Sequence, residues 1–299
     1  MKKVLVIGGS GFVGSHVVEA LIEAGHRVTV FDRLRSDHIH PSAGFIQGEI
    51  TDAEGVESAV QGHSIVYNFA GIADIGEASK RPLEVAKVNI LGNVHVLEAC
   101  RKNGVERIVY ASSVYVFSDT GSFYKCGKRT CEEYLMEYQR QFGLNFTILR
   151  YGTLYGNRSD ESNSIHRYLK QALFEGRIVY LGDEDFVREY IHVEDAARLS
   201  VEILKKEFLN EFVILTGPSS INVKELLGMI QEMLGGKIRI EYRDPPEYHY
   251  KITTYSFNPK LGKKLVSRTY YDMGQGLLKC LQELHERYVL GKEAAKVQP

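Results

Sequence analysis

The chain has 299 residues, 44% of them hydrophobic, and 37 Lys and Arg stand against 38 Asp and Glu for a formal net charge of −1. That length can bury roughly three quarters of the unfolded surface, so no disulfide or metal staple is needed. The balanced charge leaves no electrostatic footprint for nucleic acid or an anionic membrane and points to a small-molecule partner.

Cys100, Cys126, Cys131 and Cys280 form no CxxC pair and match no zinc spacing, so a reduced protein without a metal is expected. Met1-Lys2-Lys3 precedes an apolar run of only four residues, Val4 to Ile7, before glycines intervene. This is too short for a secretory leader, and nothing later approaches a membrane span. A soluble cytoplasmic protein is the expectation.

In chain order, Val4 to Ile7 reads as a buried strand. A glycine turn and a helix carrying Val17, Val18, Leu21 and Ile22 follow, and Gly25 ends the helix before a strand at Arg27 to Phe31. The alternation continues with a strand at Ser64 to Phe69, a long helix at Val85 to Lys102 and a strand at Arg107 to Ser112. A helix at Tyr124 to Phe142 and a strand at Phe146 to Leu149 come next. Such alternation predicts an α/β fold built on a doubly wound parallel (Rossmann) sheet. Tyr151 to Ser164 reads as loop, Ile165 to Glu175 as helix and Ile178 to Leu181 as strand. Glu189 to Gly217 reads as strand, helix and strand rejoining the first part. A helix at Val223 to Leu234, a strand at Lys237 to Tyr242 and a helix at about Met273 to Leu290 complete the pattern, with a frayed tail from Gly291 to Pro299. The expected domains are 1–154 plus about 187–218 for a dinucleotide, and about 155–186 plus 219–299 as a smaller, mostly C-terminal α/β substrate lobe.

Gly8-Gly9-Ser10-Gly11-Phe12-Val13-Gly14 spells G-x-x-G-x-x-G between a strand and a helix. Gly8, Gly11 and Gly14 permit a tight turn and close backbone approach. The amides at Phe12 and Val13 open the helix, whose positive end suits a pyrophosphate. The alternative is an ordinary glycine-rich turn. Asp32 ends the second strand, where a carboxylate can accept both adenosine ribose hydroxyls and favours NAD over NADP. Arg33 and Arg35 pull the other way, since a guanidinium could hold a 2′-phosphate. Asp52 has two readings, a bond to the adenine amine or a cap on the following helix. Ile50, in the same Glu49-Ile50-Thr51-Asp52 stretch, is a candidate for the adenine end of the cofactor site.

Ser113, Tyr124 and Lys128 form a Ser…Tyr-x-x-x-Lys arrangement. A phenol with a reference pKa near 10 is a poor base at neutral pH. An ammonium one helical turn away is expected to stabilise the phenolate and lower that pKa. Lys128 can also hold the nicotinamide ribose, while Ser113 aligns the substrate oxygen with Tyr124. Without the glycine turn, a solvated Tyr and Lys on an amphipathic helix would be the plainer reading.

Together these residues resemble the extended short-chain dehydrogenase/reductase family, in its nucleotide-sugar epimerase and dehydratase branch. Further support comes from Asn68-Phe69-Ala70-Gly71, Val88-Asn89-Ile90-Leu91-Gly92-Asn93, Tyr110-Ala111-Ser112-Ser113, Leu149-Arg150-Tyr151 and the stretch from Arg188 to Asp195. The segment from Phe69 to Glu77 is similar to 4-epimerases that act on UDP-galactose. The resemblance implies that Phe69, Ala70, Gly71 and Tyr151 lie against the cofactor and that Asn89 braces the active-site backbone. It also implies that Arg188 meets the substrate diphosphate, and Thr153 is a further candidate for the substrate site. A pairing of Arg188 with Glu184 or Asp185 is the alternative, and His192 reads as a packing residue. Helices of this kind pair across a two-fold axis in the family, so a homodimer is expected.

Several positions depart from the family pattern. The stretch from Ser113 to Tyr124 is short, Gly127 replaces the usual serine before Lys128, and Gly152-Thr153 stands where an asparagine is common. The Thr-Asp-Glu cluster of 4,6-dehydratases is absent, which argues against dehydration. Cys126 either touches substrate or packs. The expected function is NAD-dependent epimerisation of a nucleotide-diphosphate sugar by transient oxidation at C4, with Tyr124 as acid and base and hydride return to the opposite face. An NAD(P)H-dependent 4-ketosugar-nucleotide reductase and a non-catalytic NAD(P)-binding scaffold or sensor are the alternatives.

Overall fold

The computed structural model describes residues 1–118, 120–243, 263–267 and 269–296. Its main element is an eight-stranded, wholly parallel sheet. The strands are β1 (Lys3–Ile7), β2 (Arg27–Asp32), β3 (Gly44–Gln47), β4 (Ile65–Asn68), β5 (Arg107–Ser113), β6 (Phe146–Tyr151), β10 (Glu211–Leu215) and β13 (Lys263–Leu265). Their order is β13-β10-β6-β5-β4-β1-β2-β3. The run β3-β2-β1-β4-β5-β6 has the doubly wound order, with its switch point between β1 and β4. The apolar runs make this possible: Val4 to Ile7, Ile65 to Tyr67 and Ile108 to Tyr110 are at most 5% exposed, as a sheet covered on both faces requires. One core cluster joins Leu5, Ile7 and Phe31 to Val96, Leu97, Leu135 and Ile148. Each such side chain contributes roughly 1.5–3 kcal/mol on full burial.

By contacts the chain forms two compact units. The first contains Met1–Gly152, Ala196–Thr216 and the β13 strand; the second contains Thr153–Asp195, 217–243 and 269–296. In the second, a three-stranded sheet orders β11 (Ser220–Asn222), β9 (Val187–His192) and β7 (Thr153–Tyr155), and β12 (Arg239–Arg243) pairs in parallel with β8 (Arg177–Leu181). Helices α7 (Ser164–Glu175), α9 (Val223–Met233) and α10 (Met273–Lys296) share one core with Tyr155, Ile178 and Tyr190.

Some elements differ from the sequence reading, each for a local reason. The expected helix from 85 to 102 is α4 (Pro82–Val85), a π-helical stretch (Ala86–Leu91) and α5 (Gly92–Lys102). The irregular turn carries Asn89, whose side chain bonds another segment's backbone. A Cβ at Gly92 would meet Ile50 Cγ2 at 2.9 Å, so a glycine is needed where the helix passes Ile50. Strand β3 escaped the periodicity because it is a short edge strand with three of its four residues exposed or nearly so. Strand β7 lies within the expected loop and is only three residues long. β10 rejoins the large sheet beside β6, whereas β9 pairs with β7 and β11 in the second unit. The tail expected to fray continues α10 to Lys296, through Glu-Ala-Ala-Lys, all strong helix formers; residues 297–299, and 244–262 of the expected substrate lobe, lie outside the described residues. Among the described residues no helix is long and apolar enough to cross a membrane.

Candidate active site

The glycine turn leaves β1 through Gly8, at φ +78°, whose N–H donates to Phe31 O at 2.9 Å. A Cβ at Gly8 would stand 2.6 Å from Ala70 N, and one at Gly14 would stand 2.2 Å from Gly8 O. The absent side chains therefore let the Phe69-Ala70-Gly71 loop and the start of α1 (Phe12–Glu23) close on the turn. Gly11 caps α1 without a side-chain hydrogen bond, so the amides of Phe12 and Val13 have no intrahelical acceptor. The Ser10 hydroxyl is buried there with no partner. Asp32 completes the turn: Oδ2 accepts the Ser10 N–H at 3.0 Å and Oδ1 accepts the Leu34 N–H at 3.4 Å. Arg33 is exposed, and Arg35 lies over the Phe45 ring at 5.6 Å. An uncapped helix start, an unpartnered hydroxyl and a fixed carboxylate fit the pyrophosphate and adenosine ribose of a dinucleotide.

The two adenine-side candidates each have a place in the fold as well. Asp52 caps α2 (Ala53–Val60), accepting the Gly55 N–H at 3.2 Å. Ile50 is 8% exposed, lies in the core cluster and packs its side chain against Gly92.

The Ser…Tyr-x-x-x-Lys residues converge in the first unit. Ser113 ends β5, its Oγ accepting the Tyr115 N–H at 3.2 Å, and its hydroxyl lies near enough to Tyr124 to draw the phenol's pKa down. Tyr124 and Lys128 lie on α6 (Ser122–Phe142). The short connection closes through a 3-10 turn at Val114–Phe117 and two left-handed residues, Gly121 at φ +110° and Ser122 at φ +54°. A Cβ at Gly121 would sit 3.0 Å from Tyr115 Cδ1. Tyr115 thereby sets its ring edge-on to Tyr124, with centroids 6.5 Å apart at 79°. Tyr115 was not singled out from the sequence, because nothing local says which aromatic after Ser113 turns inward.

Lys128 does not act on Tyr124 as its spacing suggested. Its Nζ donates to Ala111 O at 2.6 Å and lies 4.9 Å from the Tyr110 ring centroid and 5.7 Å from that of Tyr124. Burial brings the Lys128 ammonium down to about 8. Burial also pushes the Tyr124 phenol up, more than the Ser113 hydroxyl draws it down. Desolvation wins at both groups because it disfavours whichever form is charged. Cys126 is exposed, and Gly127 packs where a Cβ would stand 3.4 Å from Asn89 Cβ.

Asn89 holds the loop after β4: its Oδ1 accepts the Ile72 N–H at 2.7 Å and its Nδ2 donates to Ile72 O at 3.0 Å. Phe69 stacks on Tyr67 at 6.1 Å and lies 6.3 Å from Tyr151, whose hydroxyl pairs with Ser200 Oγ at 2.6 Å. In the second unit, Thr153 pairs in register with Tyr190 on β9. On that strand Arg188 is half-buried, donates to Val187 O at 3.0 Å and stacks over Phe186 at 5.3 Å. Glu184, its suggested partner, meets Lys224 at 3.5 Å. His192 is 1% exposed and packs against Tyr155 and Tyr271.

Residues 4–214 match the NAD dependent epimerase/dehydratase family. The chain is 29% identical over 265 residues to a putative UDP-glucose 4-epimerase of Methanocaldococcus jannaschii, covering 82% of this chain and 86% of that protein. Among solved structures it resembles the UDP-glucose 4-epimerase of Thermotoga maritima with UDP-glucose (TM-score 0.82, 25% identity, 96% of this chain and 99% of that one). The Thermus thermophilus UDP-glucose 4-epimerase complex with NAD is similar too (TM-score 0.79, 26% identity, 95% and 99%). With its doubly wound sheet, its glycine turn and its Ser-Tyr-Lys cluster, the chain belongs to the NAD dependent epimerase/dehydratase family, enzymes of the extended short-chain dehydrogenase type.

Proposed function

We propose that this enzyme is an NAD-dependent 4-epimerase of a nucleotide-diphosphate sugar. The observation that carries the reading is the placing of Ser113 at the end of β5 beside α6, which bears Tyr124 and, one turn further along, Lys128 tied to Ala111 O at 2.6 Å. NAD, when bound, supplies the acceptor and donor of the sugar's hydride. Gly8, Gly11, Phe12, Val13 and Gly14 would hold its pyrophosphate, and Asp32 its adenosine ribose. Ala70 and Gly71 would border it, with Phe69 and Tyr151 behind them. Ser113 bonds the 4-oxygen of the sugar and aligns it with Tyr124. Tyr124 takes the proton from the 4-hydroxyl as C4 is oxidised and returns it when C4 is reduced from the other face. Lys128, fixed on Ala111 O, would hold the ribose of the nicotinamide half when NAD is bound. Thr153 and Arg188 of the second unit are the candidates for the nucleotide diphosphate, for which a guanidinium is well suited.

The three similar proteins reported above are each named for UDP-glucose, which supports UDP as the nucleotide. An assay of the purified chain with UDP-glucose, alongside mass analysis of nucleotide released on denaturation, tests the reading. Retained NAD, interconversion of the 4-epimers and loss of about 10²- to 10⁴-fold in turnover on Tyr124→Phe are expected. Absence of any nicotinamide nucleotide binding sinks it, and net consumption of NADPH assigns the reductase chemistry instead. We further infer a homodimer through α5 and α6, and on α6 Phe123, Tyr134 and Phe142 are 43–56% exposed. Light scattering after gel filtration checks this, a monomer at micromolar concentration counting against it.

A further inference from the structure

Ser112, Glu132 and Arg150 form a buried ionic cluster directly behind Ser113 and Lys128. Glu132 Oε1 accepts the Ser112 hydroxyl at 2.5 Å and the Arg150 Nε–H at 3.0 Å, while Oε2 accepts a terminal guanidinium N–H at 2.7 Å. The side chains of the pair are only 5% and 7% exposed. The guanidinium lies between two rings, 4.6 Å from Phe117 and 4.4 Å from Phe212. Every member is a step away from a residue of the candidate site. Ser112 precedes Ser113 on β5, Glu132 follows Lys128 by one turn of α6, and Phe117 ends the 3-10 turn that Ser113 caps.

Stability is a poor reason for such a cluster, because a buried ion pair often does no better than apolar residues of the same volume. What apolar residues would not supply is orientation. A bidentate guanidinium–carboxylate pair fixes both side chains in one geometry. Here it joins β6, through Arg150, to α6, through Glu132, and Ser112 adds β5. The strand end and the helix are then locked by two rungs: Lys128 donates to Ala111, and Ser112 donates to Glu132. Adjacent residues of the strand thus meet residues one turn apart on the helix, so a slide of α6 along β5 breaks both rungs.

We propose that Glu132 and Arg150 are positioning residues that lock the end of β5 to α6, holding Ser113 within reach of Tyr124 and a carboxylate beside the Lys128 ammonium. The inference rests on the proposed roles of Ser113, Tyr124 and Lys128. The groups that face Lys128 are Tyr110 and the Ala111 carbonyl from β5, and Tyr124, Cys131 and Glu132 from its own helix. Burial holds the Tyr110 phenol and the Cys131 thiol in their neutral forms by pushing both up. Glu132 is therefore the full negative charge of that set, and it opposes the loss of the Lys128 proton that burial favours.

The test replaces both charges at once, since Glu132→Gln alone would leave the Arg150 guanidinium buried without its carboxylate. The full chain carrying Glu132→Gln and Arg150→Met is compared with the parent by NMR titration of ¹³Cε-labelled lysine, Lys128 being identified by its missing signal in Lys128→Arg. The Lys128 midpoint is expected to fall by about one pH unit, with turnover down about tenfold and KM changed far less. Glu132→Asp, which keeps the charge on a shorter arm, should keep the midpoint and recover part of the turnover. An unmoved Lys128 midpoint with parental turnover overturns the proposal, because the pair then only fills space. Should the double variant fail to fold, Ser112→Ala decides: it removes one rung and leaves the ion pair, and a lower kcat at parental thermal stability supports the lock, whereas unchanged kcat overturns it. A parent chain without epimerase activity would count against the catalytic reading alone, since the titration reads Lys128 without turnover.

Discussion

Asn89 closes a two-point clasp on the backbone of Ile72, accepting its N–H at 2.7 Å and donating to its carbonyl at 3.0 Å. The clasp sits in the π-helical turn, and the Asn89 carbonyl in turn accepts the Cys131 thiol at 3.0 Å, so three segments meet at one residue. Gly71 belongs to the same arrangement, since a Cβ there would lie 3.1 Å from Asn89 Oδ1 at a φ of +156°. Asn89→Leu is close in volume but leaves two backbone groups of Ile72 without their partners. Each such group costs about 1–3 kcal/mol where water cannot reach it. Thermal unfolding should show a midpoint lowered by several degrees, and an unchanged midpoint would mean that water replaces the clasp without loss.

The carboxylate of Asp32 is held by two backbone amides, from Ser10 and Leu34, before any ligand arrives. Its remaining acceptor capacity is thus aimed at the end of β2. A 2′-phosphate placed there would meet a fixed negative charge, and Arg35 is engaged on Phe45. Asp32→Ser keeps a hydroxyl acceptor and removes the repulsion. The ratio of NADP to NAD affinity, measured by calorimetry, should rise at least about tenfold, equivalent to about 1.4 kcal/mol. A ratio that stays put would place the adenosine ribose elsewhere.

How much of this was readable in the sequence depends on whether the signal was local. The glycine turn, β1, β5 and the helix bearing Tyr124 and Lys128 are written in short windows, by apolar runs and by glycines at fixed spacing. Strand β3 is not, because an exposed edge strand has no buried face to pattern. Asp52 and Ile50 illustrate a second kind of gap: their position suggests a ligand, and only the fold shows that they also serve as a helix cap and as packing against Gly92. The sign of the Tyr124 shift was missed because spacing reports the distance to a charge and says nothing of desolvation. Arg150 and Ser112 stood within recognisable stretches, but Glu132 is followed by a second glutamate, Glu133, and only the fold shows which of the two turns inward.

Gly14 is the most constrained of the turn glycines. A Cβ at that position would stand 2.2 Å from Gly8 O and 2.9 Å from Gly9 Cα, both backbone atoms that no rotamer change can move. Gly14→Ala must therefore push α1 away from the turn, and overpacking of this kind costs about 1–3 kcal/mol. Thermal stability should drop, and NAD retention should drop with it because the helix amides no longer converge on the pyrophosphate. Gly25→Ala serves as the contrast: nothing lies within 4 Å of its Cβ, although its φ of +82° is strained for alanine. That variant should lose stability and keep NAD. Equal loss of NAD in both would show that the turn's packing has no bearing on the cofactor.

Lys128 ties stability to pH with a definite sign. In the unfolded chain its ammonium keeps its proton up to about 10.5, whereas in the folded protein burial releases that proton at about 8. Below about 8 both states hold the proton and the full cost of burying a charge is present. Above about 10.5 neither holds it. Between these limits the unfolded state binds more protons, so this group makes stability rise with pH. Lys128→Met lacks the titration. With no cofactor added, denaturant unfolding at intervals from pH 7 to pH 10.5 should therefore show the parent gaining on the variant, beginning near pH 8. Other tyrosines and lysines titrate in the same range, but they are common to both chains and cancel in the difference. A difference that stays flat across the window would mean that the Ala111 carbonyl and Glu132 hold the ammonium as well as water does, and burial would then not govern the charge of Lys128.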